Sequence, residues 1–351
     1  MRAANELALV MEVTEGCRMG CKGCRIDKTG SGLPSDDVLE KLLGMLYQLK
    51  AQGVGFAEVE LGATDMLSAN NRDEIFSHPL VAEIVRLFKV TVINAAFIDP
   101  QPDHYIRLAQ QVNTLSPDNA VGLVTPMEMT QAFNDKYISR IQKNVTLFKQ
   151  HLNNPFTEVL FSIIIDHNQM RRSDIKRSYG ELFVRARQLR VSERTKVDFA
   201  FHHGREGLRM STDKEDLLQT IHALNDQYVQ DLLTRDIVHR GEVPAQLFEE
   251  EEVLELVLSD CDLYIRPILN ERLMVKNRIM RYHGAWDAYS LLKHFDDRVQ
   301  RNENLAKELK VCSTCPHVKR CATRYTQELM DILKTQDCIS LLGLNTPNTT
   351  P

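Results

Sequence analysis

Three cysteines near the start of the chain, Cys17, Cys21 and Cys24, follow one another at C-x3-C-x2-C spacing. They come directly after a short apolar stretch, Leu7 to Val13, which predicts a strand that delivers them on one loop. Three thiolates on one loop can hold three irons of a cubane [4Fe–4S] cluster and leave the fourth iron open. A structural zinc site usually has four protein ligands, and no fourth cysteine or histidine follows nearby. The spacing therefore favours an iron–sulfur cluster over a partial zinc site or incidental cysteines.

Length and charge limit the kinds of protein this can be. The chain has 351 residues, which suggests two domains at about 150 residues each. Its formal net charge of −5 argues against a nucleic-acid partner, because general nucleic-acid-binding proteins are normally basic overall. No apolar run approaches the ~20 residues that span a bilayer, so the sequence predicts neither a transmembrane segment nor a membrane partner.

The eight cysteines indicate metal binding rather than disulfide bonding. Three lie near the start, and four, Cys312, Cys315, Cys321 and Cys338, lie near the end. The apolar stretch at the N-terminus has acidic neighbours and no small-residue cleavage site, so we expect no signal peptide and a cytoplasmic protein. Cys261 stands alone, and we expect a buried apolar residue, with a ligand or catalytic role as the alternative.

Short β-rich runs alternate with helical segments, a pattern typical of parallel strands joined by crossover helices. The predicted strands are Leu7–Val13, Phe56–Leu61, Val90–Ala95, Ala120–Val124, Val159–Ile165 and Val197–Phe201. The predicted helices are Ser35–Lys50, Leu80–Phe88, Tyr137–His151 and Ser173–Leu189. This order predicts an α/β fold of six β/α units.

The segment after the sixth strand is less regular. The acidic run Glu249–Glu252, followed by apolar residues to Val257, favours a solvated helix start, since acidic residues stabilise helix N-termini. Two short runs, Leu263–Leu269 and Arg272–Val275, predict a hairpin around the Asn-Glu pair between them. A further helix is predicted over Trp286–Leu292.

Polar residues follow several of the predicted strands. The carboxyl ends of parallel strands meet at one edge of a sheet, where the sites of such folds form, so these residues are candidates for a common site. They are Asp65, Asn94, Thr125, Asn168, His202 and His203. Each residue alone is better explained as a turn or cap, and only their shared position indicates function.

The cysteines near the end have their own regular spacing. Cys312, Cys315 and Cys321 follow C-x2-C-x5-C, and Cys338 comes later. Four thiolates can close an iron–sulfur cluster completely. They can also close a zinc site, so the spacing alone leaves both metals open.

The N-terminal cysteine loop resembles that of the radical S-adenosylmethionine (SAM) enzymes, in which C-x3-C-x2-C follows the first barrel strand. The resemblance covers roughly residues 7–205 and implies a partial (β/α)6 barrel within a core domain of residues 1–235. The C-terminal cysteines resemble the outer half of the SPASM/twitch-like extension of peptide-modifying members. This implies a small α+β iron–sulfur domain over residues 236–351 with one auxiliary [4Fe–4S] cluster. Tyr325 stands where a complete extension has another cysteine, so we expect the inner auxiliary cluster to be lost.

The resemblance also implies how SAM binds and reacts. Its amino and carboxylate groups chelate the open iron, and reductive cleavage gives a 5′-deoxyadenosyl radical that removes a hydrogen atom from the substrate. The family usually has Gly-Gly-Glu after the second strand, where this chain has Gly62, Ala63 and Thr64, and Asp65 partly replaces the missing acid. The remaining implied SAM contacts are Thr125, Asn168 and the backbone of Gly204.

Electron and proton transfer complete the implied chemistry. An auxiliary cluster closed by four cysteines is expected to carry electrons, and an electron donor such as flavodoxin or ferredoxin is an implied partner. Oxidation of a substrate radical also needs a base, for which the candidates are Asp65, Asp166, His202 and His203. A histidine suits this role because its unperturbed pKa is about 6.5, although a structural role for either histidine is the alternative.

Three functions remain open on the sequence. The SPASM-like end favours maturation of a peptide or protein by cross-linking, epimerisation or oxidation. The cluster loop begins at residue 17, so we expect no leader-recognition domain before it and a separate leader-peptide-binding protein as partner. The second function is dehydrogenation or rearrangement of a small metabolite in natural-product biosynthesis. The third is a non-catalytic iron–sulfur or zinc scaffold, supported only by the altered Gly-Gly-Glu region.

Overall fold

A computed structural model describes residues 6–17, 32–62, 64–154, 156–166, 195–202, 253–259, 261–266 and 280–297, together with 181, 185 and 189. The strands are β1 (Glu6–Glu12), β2 (Gly55–Gly62), β3 (Val90–Asn94), β4 (Ala120–Glu128), β5 (Phe156–Asp166), β6 (Thr195–His202), β7 (Val253–Ser259), β8 (Asp262–Arg266) and β9 (Met280–Arg281). The helices are α1 (Asp36–Ala51), α2 (Arg72–Ser77), α3 (Pro79–Arg86), α4 (Pro102–Leu115), α5 (Met129–Ala132), α6 (Asp135–Gln150) and α7 (288–297). Among these described helices, none has the length and apolar character that crossing a membrane requires.

The described strands form one sheet in the order β6-β5-β4-β3-β2-β1-β7-β8-β9. Strands β1 to β7 run parallel to one another, whereas β8 and β9 are antiparallel to their neighbours. The predicted α/β fold with a mostly parallel sheet is confirmed, and each of the six predicted strands is present. Most of the helix predicted over Ser173–Leu189 lies outside the described residues. Because β1 to β7 share one direction, their last residues and following loops lie along one edge, which we call the carboxyl edge.

The two faces of the sheet differ in chemistry. Leu7, Leu9 and Met11 of β1 are buried in the hydrophobic core that the helices form with this face, which we call the core face. Full burial of each such side chain stabilises the fold by roughly 1.5–3 kcal/mol. The alternate residues belong to the other face, the open face, where Glu12 of β1 and Glu60 of β2 are only half-buried. Charged residues on the open face indicate a surface for binding rather than a second core.

The predicted helix start after the acidic run is wrong. Residues Val253–Ser259 form β7, a parallel neighbour of β1. Leu254, Leu256 and Leu258 are fully buried and pair with the core-face residues of β1, as the two-residue period of a strand requires. Glu255 on the other face is half-buried, and Val257 on that face is buried beside Val10. The acidic residues suggested a helix N-terminus, but burial beside β1 decides the conformation.

A hairpin does follow, although its described turn is not the predicted one. Ser259 pairs with Asp262, so Cys261 lies in the turn between β7 and β8, while residues 270 and 271 lie outside the described chain. Cys261 in this turn is exposed, so the expectation of a buried apolar residue is wrong. Since β7 is parallel to β1, the turn lies at the carboxyl edge, as does the segment that leads to Cys17.

The proposed domain division at residue 235 stays a prediction. Strands β7 and β8 come from the predicted second domain but continue the sheet of the first. Helix α7 lies in the same segment as the helix predicted over Trp286–Leu292, and it contacts α1. There the Gln48 side chain accepts a hydrogen bond from the Ala288 N–H at 3.1 Å.

Replacement of Leu256 by Ala tests the position of β7. Leu256 is fully buried beside β1, so Leu256→Ala should lower the free energy of unfolding by about 2–5 kcal/mol in urea titrations. Tyr289→Ser is the control, because Tyr289 is 63% exposed and its loss should cost less than about 0.5 kcal/mol. A loss below about 1 kcal/mol for Leu256→Ala would contradict a buried strand here.

Candidate active site

The backbone that leads from β1 to Cys17 is bonded to the end of β2. The Gly62 carbonyl accepts hydrogen bonds from the Val13 and Thr14 N–H groups, at 2.8 and 3.2 Å. The Thr64 N–H donates to the Thr14 hydroxyl at 3.1 Å. The Thr64 hydroxyl oxygen lies 2.7 Å from that of Thr14 and 3.2 Å from the Gly16 carbonyl oxygen. Gly62 and Thr64 were predicted to contact SAM, and here they anchor the segment that enters the cysteine loop.

Asn71 clamps the same segment from the side of α2. Its Nδ2 donates to the Val13 carbonyl at 2.9 Å, and its Oδ1 accepts from the Glu15 N–H at 2.8 Å. The Glu15 carbonyl in turn accepts from the Asn70 N–H at 2.8 Å. Asn71 is only 8% exposed, so the buried Val13 carbonyl would have little access to water if the Asn71 side chain were removed. The sequence analysis missed Asn71, since nothing in its spacing marks an amide that bonds to a distant loop.

Gly16 completes the approach to the first cysteine. Its φ of +71° lies in the left-handed region, which glycine adopts without a steric penalty. A Cβ at this position would also come within 2.5 Å of Asn70 Nδ2. Cys17 follows as a half-buried free thiol. The predicted ligands Cys21 and Cys24 lie outside the described residues, as do Cys312, Cys315, Cys321 and Cys338.

Asp65 lies in the turn after β2, where its carboxyl group is fully engaged. Oδ1 accepts from the Ala96 N–H at 2.8 Å, and Oδ2 accepts from the Ser68 hydroxyl at 2.5 Å. The residue is 7% exposed, and burial raises the pKa of its carboxyl group above the ordinary value, although these hydrogen bonds oppose the shift. Asp65 thus ties the turn after β2 to the loop after β3, which favours a structural role over that of base or SAM ligand.

Asn94, at the end of β3, is beside Gly62. Register places Glu12 opposite Gly62, and Gly62 and Asn94 are the residues that follow the last β2–β3 pair, Leu61 with Ile93. A Cβ on Gly62 would lie 3.7 Å from Asn94 Cβ and 3.8 Å from Asn94 Nδ2. Asn94 Oδ1 is buried and has no hydrogen-bond partner among the described residues. An unsatisfied buried acceptor costs about 1–3 kcal/mol, so a donor supplied by a ligand would be favourable here.

Thr125 lies within β4 rather than after it, because the strand continues to Glu128. It alternates with Leu123 and Met127 of the hydrophobic core and is itself fully buried. Its hydroxyl therefore belongs to the core face, and it has no hydrogen-bond partner in the described part of the chain. This placement does not bring Thr125 to the open face, where Asn94 and Gly62 lie.

Two of the other candidate residues are neighbours on β5 and β6, the two strands farthest from the cysteine loop on that side of β1. Asp166 and His202 are the last residues of β5 and β6 and pair in register. The carboxyl edge therefore brings these two candidate bases together at the level of the backbone. The remaining predicted contacts, Ala63, Asn168, His203 and Gly204, lie outside the described residues.

The open face near Cys17 also contains acidic residues that the sequence analysis did not select. Glu12 is opposite Gly62, and Glu60 precedes Gly62 by two residues on the same face. The signal was present, because both glutamates interrupt apolar strands at alternate positions. Polar residues inside a strand, and not only after it, therefore belong in the search for a site.

No protein-family model and no curated protein sequence matches the chain. Solved structures do share its fold. The native form of anSMEcpe with bound AdoMet has a TM-score of 0.54 over 91% of this chain and 88% of that one, at 13% identity. The hexahistidine-tagged form with AdoMet has a TM-score of 0.53, covering 96% and 88% at 12% identity. A third structure, with AdoMet and Cp18Cys peptide, has a TM-score of 0.51, covering 91% and 88% at 14% identity.

These comparisons define the fold. Each of these three anSMEcpe structures contains AdoMet. At 12–14% identity the likeness shows the fold of this chain, a mostly parallel α/β sheet of the kind that the resemblance of the cysteine loop predicted. AdoMet is S-adenosylmethionine, the cofactor that the resemblance of the cysteine loop implies.

Removal of the Asn71 side chain tests the clamp on the cysteine loop. Asn71→Ala would leave the buried Val13 carbonyl and the part-buried Glu15 N–H without these partners, and we expect a loss of roughly 1–3 kcal/mol in urea unfolding. The matched control is Asn113→Ala, because Asn113 also makes two hydrogen bonds to the backbone but in an exposed place. Equal losses of unfolding free energy in the two variants would show that the Asn71 hydrogen bonds contribute no more to stability than those of an exposed amide.

The buried carboxyl group of Asp65 predicts a pH dependence. Its native pKa is raised above the ordinary 3.8, so the folded state binds the proton more tightly and unfolding stability should fall as pH rises above about 3.8. Asp65→Asn keeps an acceptor for the Ala96 N–H and should remove this fall, as measured by urea midpoints between about pH 3.5 and 7. The control Asp118→Asn, at an exposed site, should keep the wild-type profile. If Asp65→Asn kept the wild-type dependence of stability on pH, the Asp65 carboxyl group would not be its cause.

Proposed function

We propose that this chain is a radical SAM enzyme that acts on a peptide or protein substrate. The observation that carries the proposal is the C-x3-C-x2-C sequence placed directly after β1, at the carboxyl edge of a parallel sheet with the radical SAM fold. Sites in parallel α/β sheets form at this edge. The same cysteines in an unrelated fold would support only a metal scaffold.

Three residues would hold the cofactor cluster. Cys17, Cys21 and Cys24 would bind a [4Fe–4S] cluster and leave one iron for the amino and carboxylate groups of SAM. A SAM bound there would, on receiving one electron, give methionine and a 5′-deoxyadenosyl radical, which is the chemistry needed to remove a hydrogen atom from a substrate C–H bond. The described residues fit this role, since Cys17 is a free thiol and Asn94 Oδ1 is a buried acceptor that lacks a donor.

The protein itself orients the groups and moves the proton. Gly62, Thr64 and Asn71 hold the backbone before Cys17, which lowers the entropy lost when the thiolates converge on a metal. His202 is the proposed base, with His203 beside it in sequence, because the carboxyl group of Asp65 is already engaged. Asp166, which pairs with His202 in register along the backbone, is the alternative base.

The second cysteine group would serve electron transfer. Cys312, Cys315, Cys321 and Cys338 would close an auxiliary [4Fe–4S] cluster with no open iron, which leaves redox chemistry as its role. A small electron-transfer protein such as flavodoxin or ferredoxin would supply the reducing electron to the first cluster.

A peptide substrate is the reading that the comparisons favour. Two of the solved structures with this fold contain Cp18Cys or Kp18Cys peptide together with AdoMet. The SPASM-like spacing of the C-terminal cysteines points the same way. Maturation in natural-product biosynthesis, aided by a separate leader-peptide-binding protein, fits this substrate class.

Anaerobic reconstitution tests the proposal. The wild-type protein should bind about eight irons if both cysteine groups hold cubanes, and it should release 5′-deoxyadenosine from SAM with dithionite. Cys17→Ala should abolish that product, whereas Cys261→Ala should not, because Cys261 is an exposed residue outside both cysteine groups. Failure of the reconstituted wild-type protein to cleave SAM would overturn the proposed activity.

A further inference from the structure

We propose that Asn94 accepts a hydrogen bond from the amino group of SAM and takes the place of the acid that this chain lacks after β2. The inference rests on the proposed function, because it requires a cofactor bound beside Cys17. It adds a SAM contact on β3. The contacts that the resemblance implies, Gly62 to Asp65 with Thr125, Asn168 and Gly204, include no residue of that strand.

Position is the first argument. Asn94 ends β3 on the open face, and Gly62, which has no side chain, is its neighbour at the end of β2. The Asn94 amide nitrogen lies 3.8 Å from the point that a Cβ of Gly62 would occupy. The Gly62 carbonyl also holds Val13 and Thr14, a few residues before Cys17. Gly62 thus connects the cysteine loop to the Asn94 side chain within two neighbouring strands.

Hydrogen-bonding capacity is the second argument. Asn94 Oδ1 is buried without a partner among the described residues, so it favours a donor. The amino group of SAM keeps N–H bonds when its nitrogen binds iron, and the metal polarises them, which strengthens the hydrogen bond that they donate. Glu12, opposite Gly62 on the open face, adds negative charge on the same side.

The other candidate side chains either have hydrogen-bond partners already or lie on the core face of the sheet. Asp65 bonds to Ala96 and Ser68. The Thr64 hydroxyl bonds within the segment before Cys17. Thr125 belongs to the core face. Among the residues that the structure describes after β2, β3 and within β4, Asn94 is therefore the side chain whose acceptor is left for a ligand.

SAM binding by the cluster-loaded full chain tests the assignment apart from turnover. Equilibrium dialysis with labelled SAM, under anaerobic conditions, should show about tenfold weaker binding for Asn94→Ala, since one polarised hydrogen bond is lost. Asn94→Asp keeps the acceptor and nearly the same volume, so its affinity should stay within about threefold of wild type. Asn113→Ala, an amide removed from α4, controls for a general loss of stability.

The outcomes separate this inference from the proposed function. If wild-type protein binds SAM and Asn94→Ala binds it equally well, the assignment of Asn94 is overturned. If Asn94→Ala fails to retain its cluster, Asn94→Asp decides the matter, and affinity more than about tenfold weaker in that variant overturns the assignment. If cluster-loaded wild-type protein does not bind SAM, the proposed function itself fails.

Discussion

The hydrogen bonds between the segment after β1 and the end of β2 are the constraint on which the site depends. The Gly62 carbonyl, the Thr64 hydroxyl and the Asn71 amide together fix the backbone from Val13 to Gly16. Ordering a residue of free chain costs roughly 1–2 kcal/mol, so a loop fixed before the metal arrives binds it at a lower entropic cost. The parallel sheet brings the chain to its carboxyl edge, and these hydrogen bonds fix the backbone that leads to the first thiol.

Much of the fold could be predicted from the sequence because each of the strands β1 to β6 contains a run of apolar residues. Strand β7 could not, since the acidic residues before it suggested a helix start and its pairing with β1 spans most of the chain. The residues of the site were harder to predict. Thr125 was placed at a strand end because the apolar run stops at Val124, whereas β4 continues to Glu128 and turns the hydroxyl into the core.

Side-chain partners explain the other differences. Asp65 was selected as an acid near a strand end, but a sequence does not show that Ser68 and Ala96 already satisfy it. Asn71 was missed for the converse reason, because its partners are more than fifty residues away. A structure distinguishes an engaged polar group, such as the Asp65 carboxyl, from one without a partner among the described residues, such as Asn94 Oδ1.

The place of β1 between β2 and β7 has a consequence for synthesis of the protein. Its partner on one side ends at Gly62, but its partner on the other side ends only at Ser259. At ~5–20 residues per second, a ribosome needs roughly 10–40 s to make the intervening chain. Throughout that interval the strand that delivers the first cysteine is an unpaired sheet edge, which readily pairs with other chains. A cell producing this protein must therefore shield a nascent β-edge until the late segment arrives.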